Sequence, residues 1–218
     1  MRILVLAAAA LGASLLITPA AAQTAPRPGT AAFDRWAASE LTRLSDLDAV
    51  RALTYHYGRG NDELSLRYAD LETARARAQA EYAQAFAPDV RITVYPLRSA
   101  TPLRQVTGID AWTDFASGFF QNANYSSTLH LMSNFNLTLT GADTAIGSAY
   151  AGVPHFIRSA SARSEATQAT TLEYMLCRYA FTARRQADGT WRITEFTIYL
   201  DEIWRAEGFY PGGQANGQ

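Results

Sequence analysis

The chain has 218 residues, 19 basic and 20 acidic side chains, and a formal net charge of −1 at pH 7. All the basic residues are arginine, and the chain contains three histidines and one cysteine. The lack of lysine excludes Schiff-base and pyridoxal-phosphate chemistry, the single cysteine excludes an intramolecular disulfide, and the balanced charge argues against nucleic-acid binding.

The sequence also lacks the short motifs of nucleotide-binding, zinc-protease and serine-hydrolase sites, namely GxGxxG after a strand, GxxxxGK(S/T), HExxH and GxSxG. Three histidines without clustered acids are too few ligands for a structural zinc site. Cys177 lies in the apolar run TLEYMLCRYAF, which predicts a buried small side chain rather than a nucleophile. We therefore expect no cofactor and no bound metal.

Residues 1–22 have the features of a secretory signal peptide. Arg2 supplies a charged start, an apolar segment follows at 3–17, and the alanines at 20–22 form an A-x-A cleavage site before Gln23. Cleavage there predicts a periplasmic or secreted protein that is not membrane-bound. An uncleaved N-terminal anchor is the alternative.

The remainder of the chain has the length of one compact domain. Residues 23–32 are rich in proline, glycine and threonine, which predicts a disordered leader. We expect a single domain over residues 33–210 and a disordered tail at 211–218.

Helical patterns dominate the first half of this domain. A short helix is predicted at 33–44, and S-D-L-D at 45–48 resembles a capping box that starts a second helix. The second helix has one apolar face, formed by Leu47, Val50, Leu53 and Tyr57. Gly58 and Gly60 are expected to end it, so that Asp62 follows the helix.

Two further helices are predicted. Residues 64–85 are rich in Ala, Arg, Glu and Leu, and the pattern stops before the proline of FAPDV, since a proline disfavours helix in the residue before it. Asp110 is expected to cap a third helix that runs through Phe120.

Strand patterns fill most of the rest of the domain. They occur at 91–95, 127–140, 145–157, 171–185 and 191–200, with turns at 141–143 and 187–189 and a flexible hairpin tip at 159–169. Residues 97–108 are predicted as a loop or hairpin. Helices followed by antiparallel strands predict an α+β fold, with a curved antiparallel sheet wrapped around the helices to form a cone-shaped pocket.

His130 is the residue of this sequence that most suggests chemistry. In STLHLMSNFNLTLT it alternates with leucines, on a face that also carries amides and hydroxyls and includes Asn134. A histidine beside a carboxylate can hold one tautomer and act as a base near neutral pH. A solvated histidine on a surface strand is the alternative interpretation.

The order of these elements resembles the SnoaL-like branch of the nuclear-transport-factor-2-like superfamily, over residues 44–200. The markers are FAPDV at 86–90, G-I-D-A-W at 108–112 and DGTWRI at 188–193. The segment between Asp62 and Phe86 is longer than is typical of the family, so no functional residue is carried over from it.

The resemblance extends to an Asp–His dyad shared by scytalone dehydratase, bile-acid 7α-dehydratase and hexachlorocyclohexane dehydrochlorinase. It implies Asp62 and His130 as the dyad, within about 3.5 Å of each other. His155, 25 residues after His130, is similar in placement to a further pocket histidine of the family. Tyr57 stands five residues before Asp62 and is similar in placement to a tyrosine of the bile-acid enzyme, which implies a candidate proton donor; plain core packing is the alternative. Asn134 is a candidate substrate-binding residue.

The resemblance implies a cofactor-independent lyase that eliminates a group from a hydrophobic aromatic or polycyclic molecule, as in the catabolism of aromatic compounds. Two alternatives stay open. One is a C–C lyase that releases formaldehyde from lignin-derived diaryl propanoids, and the other is a non-catalytic binding or assembly module. The expected partners are a small hydrophobic substrate and further copies of the chain, as a dimer or trimer.

Overall fold

The computed structural model describes residues 25–65, 70–158 and 169–207. The predicted signal peptide and C-terminal tail, the first part of the leader and nearly all of the hairpin tip lie outside these residues. The chain divides into two compact units after Glu40, and the second, Leu41–Gln218, contains the sheet. No helix among the described residues is both long and apolar enough to cross a membrane.

The first helix, α1 (Ala31–Ser65), is one continuous helix rather than two. The prediction that Gly58 and Gly60 end it is wrong, because both lie inside the helix and allow other side chains to approach it closely. A Cβ built on Gly60 would lie 2.4 Å from the ring of Tyr82, and one on Gly58 would lie 2.9 Å from Cβ of His130. The helix therefore continues past the glycines and carries Asp62 on its last turns.

The predicted helix over 64–85 begins later, as α2 (Leu71–Ala85). The side chain of Asp70 caps it by accepting a 2.9 Å hydrogen bond from the backbone N–H of Thr73. Its buried face is formed by Ala74, Ala78, Tyr82 and Ala85 at helical spacing.

The third helix is α3 (Ile109–Asn122), and its N-cap is Gly108, which has φ of 90° and forms no side-chain cap. The prediction that Asp110 caps this helix is therefore wrong. Asp110 lies in the first turn, where a carboxylate suits the helix dipole, and its Oδ1 accepts a 2.9 Å hydrogen bond from Gln79 of α2.

In the described part of the chain, seven strands form one sheet in the order β2-β1-β7-β6-β5-β3, with β4 also paired to β5. Their bounds are β1 Phe86–Tyr95, β2 Arg104–Thr107, β3 Tyr125–Thr128, β4 Leu131–Leu139, β5 Thr144–Arg158, β6 Ala169–Arg185 and β7 Trp191–Glu207. Strands β1 and β2 form the predicted hairpin. Strands β1 and β7 are parallel and all other pairs are antiparallel, so the sheet is mixed and not purely antiparallel as predicted.

The predicted strand over 127–140 is interrupted at the residues that matter most. Strands β3 and β4 both pair with β5, and His130 lies in the break between them. A second irregularity follows in β4, where Asn134 has φ of 50° and the register with β5 shifts between Ser133 and Asn136. This bulge changes which residues contact the core, from Met132 before it to Leu137 and Leu139 after it.

The core contains many aromatic rings, and Tyr57 of α1 lies among them. Its ring centroid lies 4.6 Å from that of Phe196, 5.3 Å from Tyr179 and 5.9 Å from Phe86. Trp112 and Trp191 are buried. Aromatic contacts thus hold α1 against the sheet and fix the position of the helix turns that follow Tyr57.

Candidate active site

Asp62 and His130 are hydrogen-bonded to each other. Nδ1 of His130 lies 2.7 Å from Oδ1 of Asp62, and the backbone N–H of His130 donates to Oδ2 over 3.3 Å. The His130 side chain is only 5% exposed, against 22% for Asp62. The predicted proximity of the two side chains is confirmed, and their catalytic role stays a prediction.

Ser65 fixes the end of α1 against the break in the sheet. Its hydroxyl donates to the backbone carbonyl of Asp62 over 2.8 Å and accepts from the backbone N–H of Thr128 over 2.9 Å. Both Ser65 and Thr128 are buried. The helix and the strand ends that carry the two site residues are therefore tied together by backbone as well as side-chain contacts.

Asn61 is a site residue that the sequence analysis missed. It is 2% exposed, its Nδ2 lies 3.3 Å from Nε2 of His130, and its Oδ1 accepts a 2.5 Å hydrogen bond from the hydroxyl of Tyr82. Asn61 follows Tyr57 by one helical turn, and this spacing would have revealed it had the helix been continued past the glycines. Because the sequence analysis ended the helix at the glycines, it did not place Tyr57 and Asn61 on the same helix face.

A cavity of about 80 Å³ opens beside these residues. It is lined mainly by aromatic and aliphatic side chains, including Trp112, Phe115, Phe119 and Phe120. The polar groups in its wall are Tyr57, Asn61, His130, His155, Cys177 and Tyr179, and no carboxylate or guanidinium group is among the described lining residues. The cavity therefore suits a neutral apolar ligand that meets a few polar groups.

Tyr57 lies in the cavity wall as predicted and also packs in the core. Its ring meets that of His130 edge-on, with centroids 5.8 Å apart. Burial raises the pKa of its phenol well above the usual value, and the nearby Cys177 adds to this. Tyr57 is therefore a neutral phenol near pH 7 and can donate a hydrogen bond into the cavity.

His155 lines the same cavity from β5. Pro154 does not interrupt the pairing of β5 with β6, where His155 stands opposite Glu173. The imidazole stacks on the ring of Tyr125 with centroids 4.2 Å apart, is 2% exposed, and has a buried Nδ1 without a hydrogen-bond partner. Burial lowers its pKa to about 3, so His155 is neutral near pH 7 and can act there through hydrogen bonds.

This low pKa predicts a measurable effect on stability. The unfolded chain protonates His155 near pH 6.5 and the native protein only near pH 3, so the unfolded state binds more protons between these values. Stability is thus lost as the pH falls through this window. When the pH is lowered from 6.5 to 5, the free energy of unfolding of His155→Phe should fall by about 2 kcal/mol less than that of the wild type. Urea unfolding at both pH values measures the difference, and equal losses in the two proteins would contradict it.

Glu173, for which the sequence suggests no role, has a structural one. Its buried carboxylate accepts hydrogen bonds from the hydroxyl of Tyr125 and from Nε of Arg205. These contacts fix the ring on which His155 stacks. Glu173 thereby supports the cavity wall from behind.

Asn134 does not lie with the other predicted site residues. It is exposed at the bulge of β4, and it borders surface depressions that do not include His130. The expectation that it shares a face with His130 is wrong, because alternation fails at the strand break and again at the bulge. A substrate-binding role inside the cavity is not supported for this residue.

Within the described parts of the chain, His56 and the acidic side chains form no metal site. Nδ1 of His56 lies 2.7 Å from Oε2 of Glu81, which links α1 to α2. Among the described residues, no group of three or more His, Cys, Asp or Glu side chains could hold a metal ion. The contact with Glu81 gives His56 a structural role between the two helices.

Comparisons with known proteins bear on the fold. The family model of the SnoaL-like domain matches residues 42–197. A sequence comparison with curated proteins finds no significant match.

Solved structures are similar at low sequence identity. A hexachlorocyclohexane dehydrochlorinase (LinA, type 2) has a TM-score of 0.57 at 16% identity, over 81% of this chain and 99% of that one. A putative scytalone dehydratase of Novosphingobium aromaticivorans has a TM-score of 0.51 at 18% identity, over 80% and 97%. An NTF2-like protein of the same species, with a cystatin-like fold, has a TM-score of 0.52 at 17% identity, over 80% and 92%. These similarities establish the α+β fold with its curled mixed sheet.

Proposed function

This chain belongs to the SnoaL-like domain family, and we propose that it is a lyase that acts without a cofactor, using His130 as a base and Asp62 to orient it. One observation carries the proposal. The imidazole is held by a carboxylate at Nδ1, and the same side chain lines an apolar cavity. The enzymes named among the similar structures, a dehydrochlorinase and a putative dehydratase, support an elimination reaction.

The proposed reaction begins with proton abstraction. The carboxylate acceptor places the ring proton of His130 on Nδ1, so the basic electron pair of the ring is on Nε2, where a substrate C–H must displace the Nδ2 of Asn61 that lies 3.3 Å away. Nε2 takes a proton from a carbon beside a carbonyl or aryl group, and the C–H electrons form a new double bond. The bond to a hydroxide or halide on the next carbon breaks, and the leaving group takes those electrons. Asp62 stabilises the resulting imidazolium, and a base of this kind contributes roughly 10²–10⁴-fold in rate.

Two neutral groups in the cavity wall are placed to assist. The Tyr57 phenol can donate to a developing oxyanion or to a leaving hydroxide. The unpartnered Nδ1 of His155 is a buried polar atom that a bound ligand can satisfy. His155 therefore acts in this proposal as a neutral hydrogen-bonding group rather than as an imidazolium acid.

The cavity limits the substrate. A volume of about 80 Å³ is well below the roughly 300–1,000 Å³ of typical ligand pockets, which favours a single aromatic ring over a polycyclic molecule. Since no charged side chain is among the described lining residues, a carboxylate or ammonium group on the substrate would be buried without a counter-ion. We propose a neutral, single-ring aromatic compound that carries a leaving group one carbon from its acidic C–H.

The proposal is tested by measuring whether the protein removes a proton from carbon. Neutral aryl compounds that carry a hydroxyl or halide β to an acidic C–H are incubated with the protein in D₂O and followed by NMR. Formation of a conjugated alkene, or deuterium exchange at the acidic carbon, supports the proposal when His130→Gln abolishes it. A chelator is present throughout, because the chain is expected to act without a metal.

Other outcomes of this assay separate the alternatives. Formaldehyde release from diaryl propanoids would indicate the C–C lyase, in which His130 deprotonates a hydroxyl instead of a carbon. Tight binding of these compounds without exchange or turnover would overturn the lyase proposal and indicate a binding module.

Location and assembly complete the proposal. Residues 1–22 support export to the periplasm or secretion. The exposed side chains of Leu131 and Leu176 both stand in register with Gly152 on neighbouring strands, which supports an apolar contact with further copies of the chain. We propose a homo-oligomer, either a dimer or a trimer.

A further inference from the structure

We propose that Asn61, oriented by Tyr82, is a positioning residue that directs an N–H donor at Nε2 of His130 and so favours the neutral imidazole until a substrate C–H takes the place of that donor. The inference rests on the proposed function in that it assigns His130 the role of base. It concerns a contact that neither the sequence pattern nor the family resemblance indicates. Asn61 contacts the ring nitrogen opposite the one that Asp62 holds.

The hydroxyl of Tyr82 determines which end of the Asn61 amide meets His130. This hydroxyl is fully buried and donates to Oδ1 of Asn61 over 2.5 Å. With the amide reversed, the same hydroxyl proton would face an NH₂ group and lose its acceptor, which is unfavourable for a buried donor. The observed orientation leaves Nδ2 of Asn61 towards Nε2 of His130.

A donor at Nε2 favours the unprotonated form of that nitrogen. The neutral imidazole accepts the amide N–H there and donates its own Nδ1–H to Asp62, so both ring nitrogens are satisfied. Protonation of Nε2 would place two donors against each other over 3.3 Å. Asn61 thus opposes Asp62, which stabilises the imidazolium, and helps His130 pass its proton on after the elimination.

The other titratable groups near His130 are uncharged near neutral pH. Burial raises the pKa values of Tyr57, Tyr82 and Tyr179 well above their usual range and raises that of Cys177 to about 12. Burial lowers that of His155 to about 3. These neutral groups lie on α1, α2, β5 and β6. The two opposing influences on the His130 imidazole are therefore the Asp62 carboxylate, which favours its protonated form, and the Asn61 amide, which favours its neutral form.

The experiment is an NMR titration of the full chain labelled with ¹⁵N-histidine, which needs no substrate. The chain has three histidines, so His56→Gln and His155→Gln suffice to assign the signals. Wild-type His130 is expected to show an Nδ1–H, Nε2-unprotonated ring at neutral pH. In Tyr82→Phe and in Asn61→Leu the His130 signals should titrate about half a pH unit or more higher.

Tyr125→Phe is the matched control, because it removes another buried hydroxyl, one that donates to Glu173. It should leave the His130 titration in place, and unchanged His56 signals report that each variant is folded. Unchanged or lower titration of His130 in both Tyr82→Phe and Asn61→Leu would overturn the proposal. If the His130 titration does not rise in these variants but the wild-type protein is an active lyase, only the role of Asn61 is refuted. If the titration rises as expected but the protein shows no turnover, the role of Asn61 is supported and the lyase function is refuted.

Discussion

Replacing His130 with alanine is expected to lower kcat/KM at least about 100-fold, because it removes the group that takes the proton. Asp62→Asn should cost at least about tenfold, since the amide keeps the shape of the side chain but removes the charge that stabilises the imidazolium and can present the wrong hydrogen-bonding group to Nδ1. Steady-state kinetics on the substrate identified by deuterium exchange measures both effects.

The pH profile separates these roles from a loss of folding. A base must be unprotonated to act, so the acidic limb of kcat/KM reports the protonation of His130 in the free enzyme. Loss of the Asp62 carboxylate should move this limb to lower pH. Asn134→Ala is the matched control, because its side chain is exposed and borders depressions that exclude His130. Near wild-type turnover in His130→Ala would show that His130 is not the base and would overturn the proposed mechanism.

The second large effect concerns Gly60 of α1 and uses Gly118 of α3 as its control. Gly60→Ala should destabilise the protein by about 1–3 kcal/mol, because the new methyl group would lie 2.4 Å from the ring of Tyr82, which is fully buried. Gly118→Ala meets nothing within 4 Å and should stabilise the protein by about 1 kcal/mol through helix propensity alone. Chemical denaturation measures the opposite signs.

Catalytic activity should also differ between Gly60→Ala and Gly118→Ala. A displaced Tyr82 would lose its contact with Asn61, so Gly60→Ala should lower kcat/KM even at temperatures where the variant is folded. Gly118→Ala should leave kcat/KM unchanged. A stabilised and fully active Gly60→Ala would show that the close approach of the ring to α1 is dispensable.

The sequence predicted the parts of the site that depend on local pattern and on family order. Asp62 and His130 could be paired because each lies at a recognisable place in its segment. Asn61 could not be found, since the glycines before it indicated the end of a helix. Their function in the fold, close approach of the Tyr82 and His130 side chains, requires knowledge of contacts far apart in the sequence.

The errors in the sheet have similar physical causes. The alternation of polar and apolar residues over 127–140 predicts one strand, but a break at His130 and a bulge at Asn134 change the facing of the side chains twice. The parallel pairing of β1 with β7 joins segments that are separated in the sequence by five other strands, and local periodicity carries no information about such pairing. The short cap at Gly108 was missed because it needs only a positive φ and no polar side chain.

The pairing of β1 with β7 also determines when the chain can fold. Strand β1 is the first strand to be synthesised and β7 the last, and Tyr57 of α1 packs against Phe196 of β7. Contacts of such long sequence separation form slowly, because the chain entropy lost in closing the loop precedes the gain from the contact. The helix that carries Asp62 therefore cannot complete its packing until nearly the whole domain has left the ribosome, and a nascent chain truncated before β7 should remain open to protease.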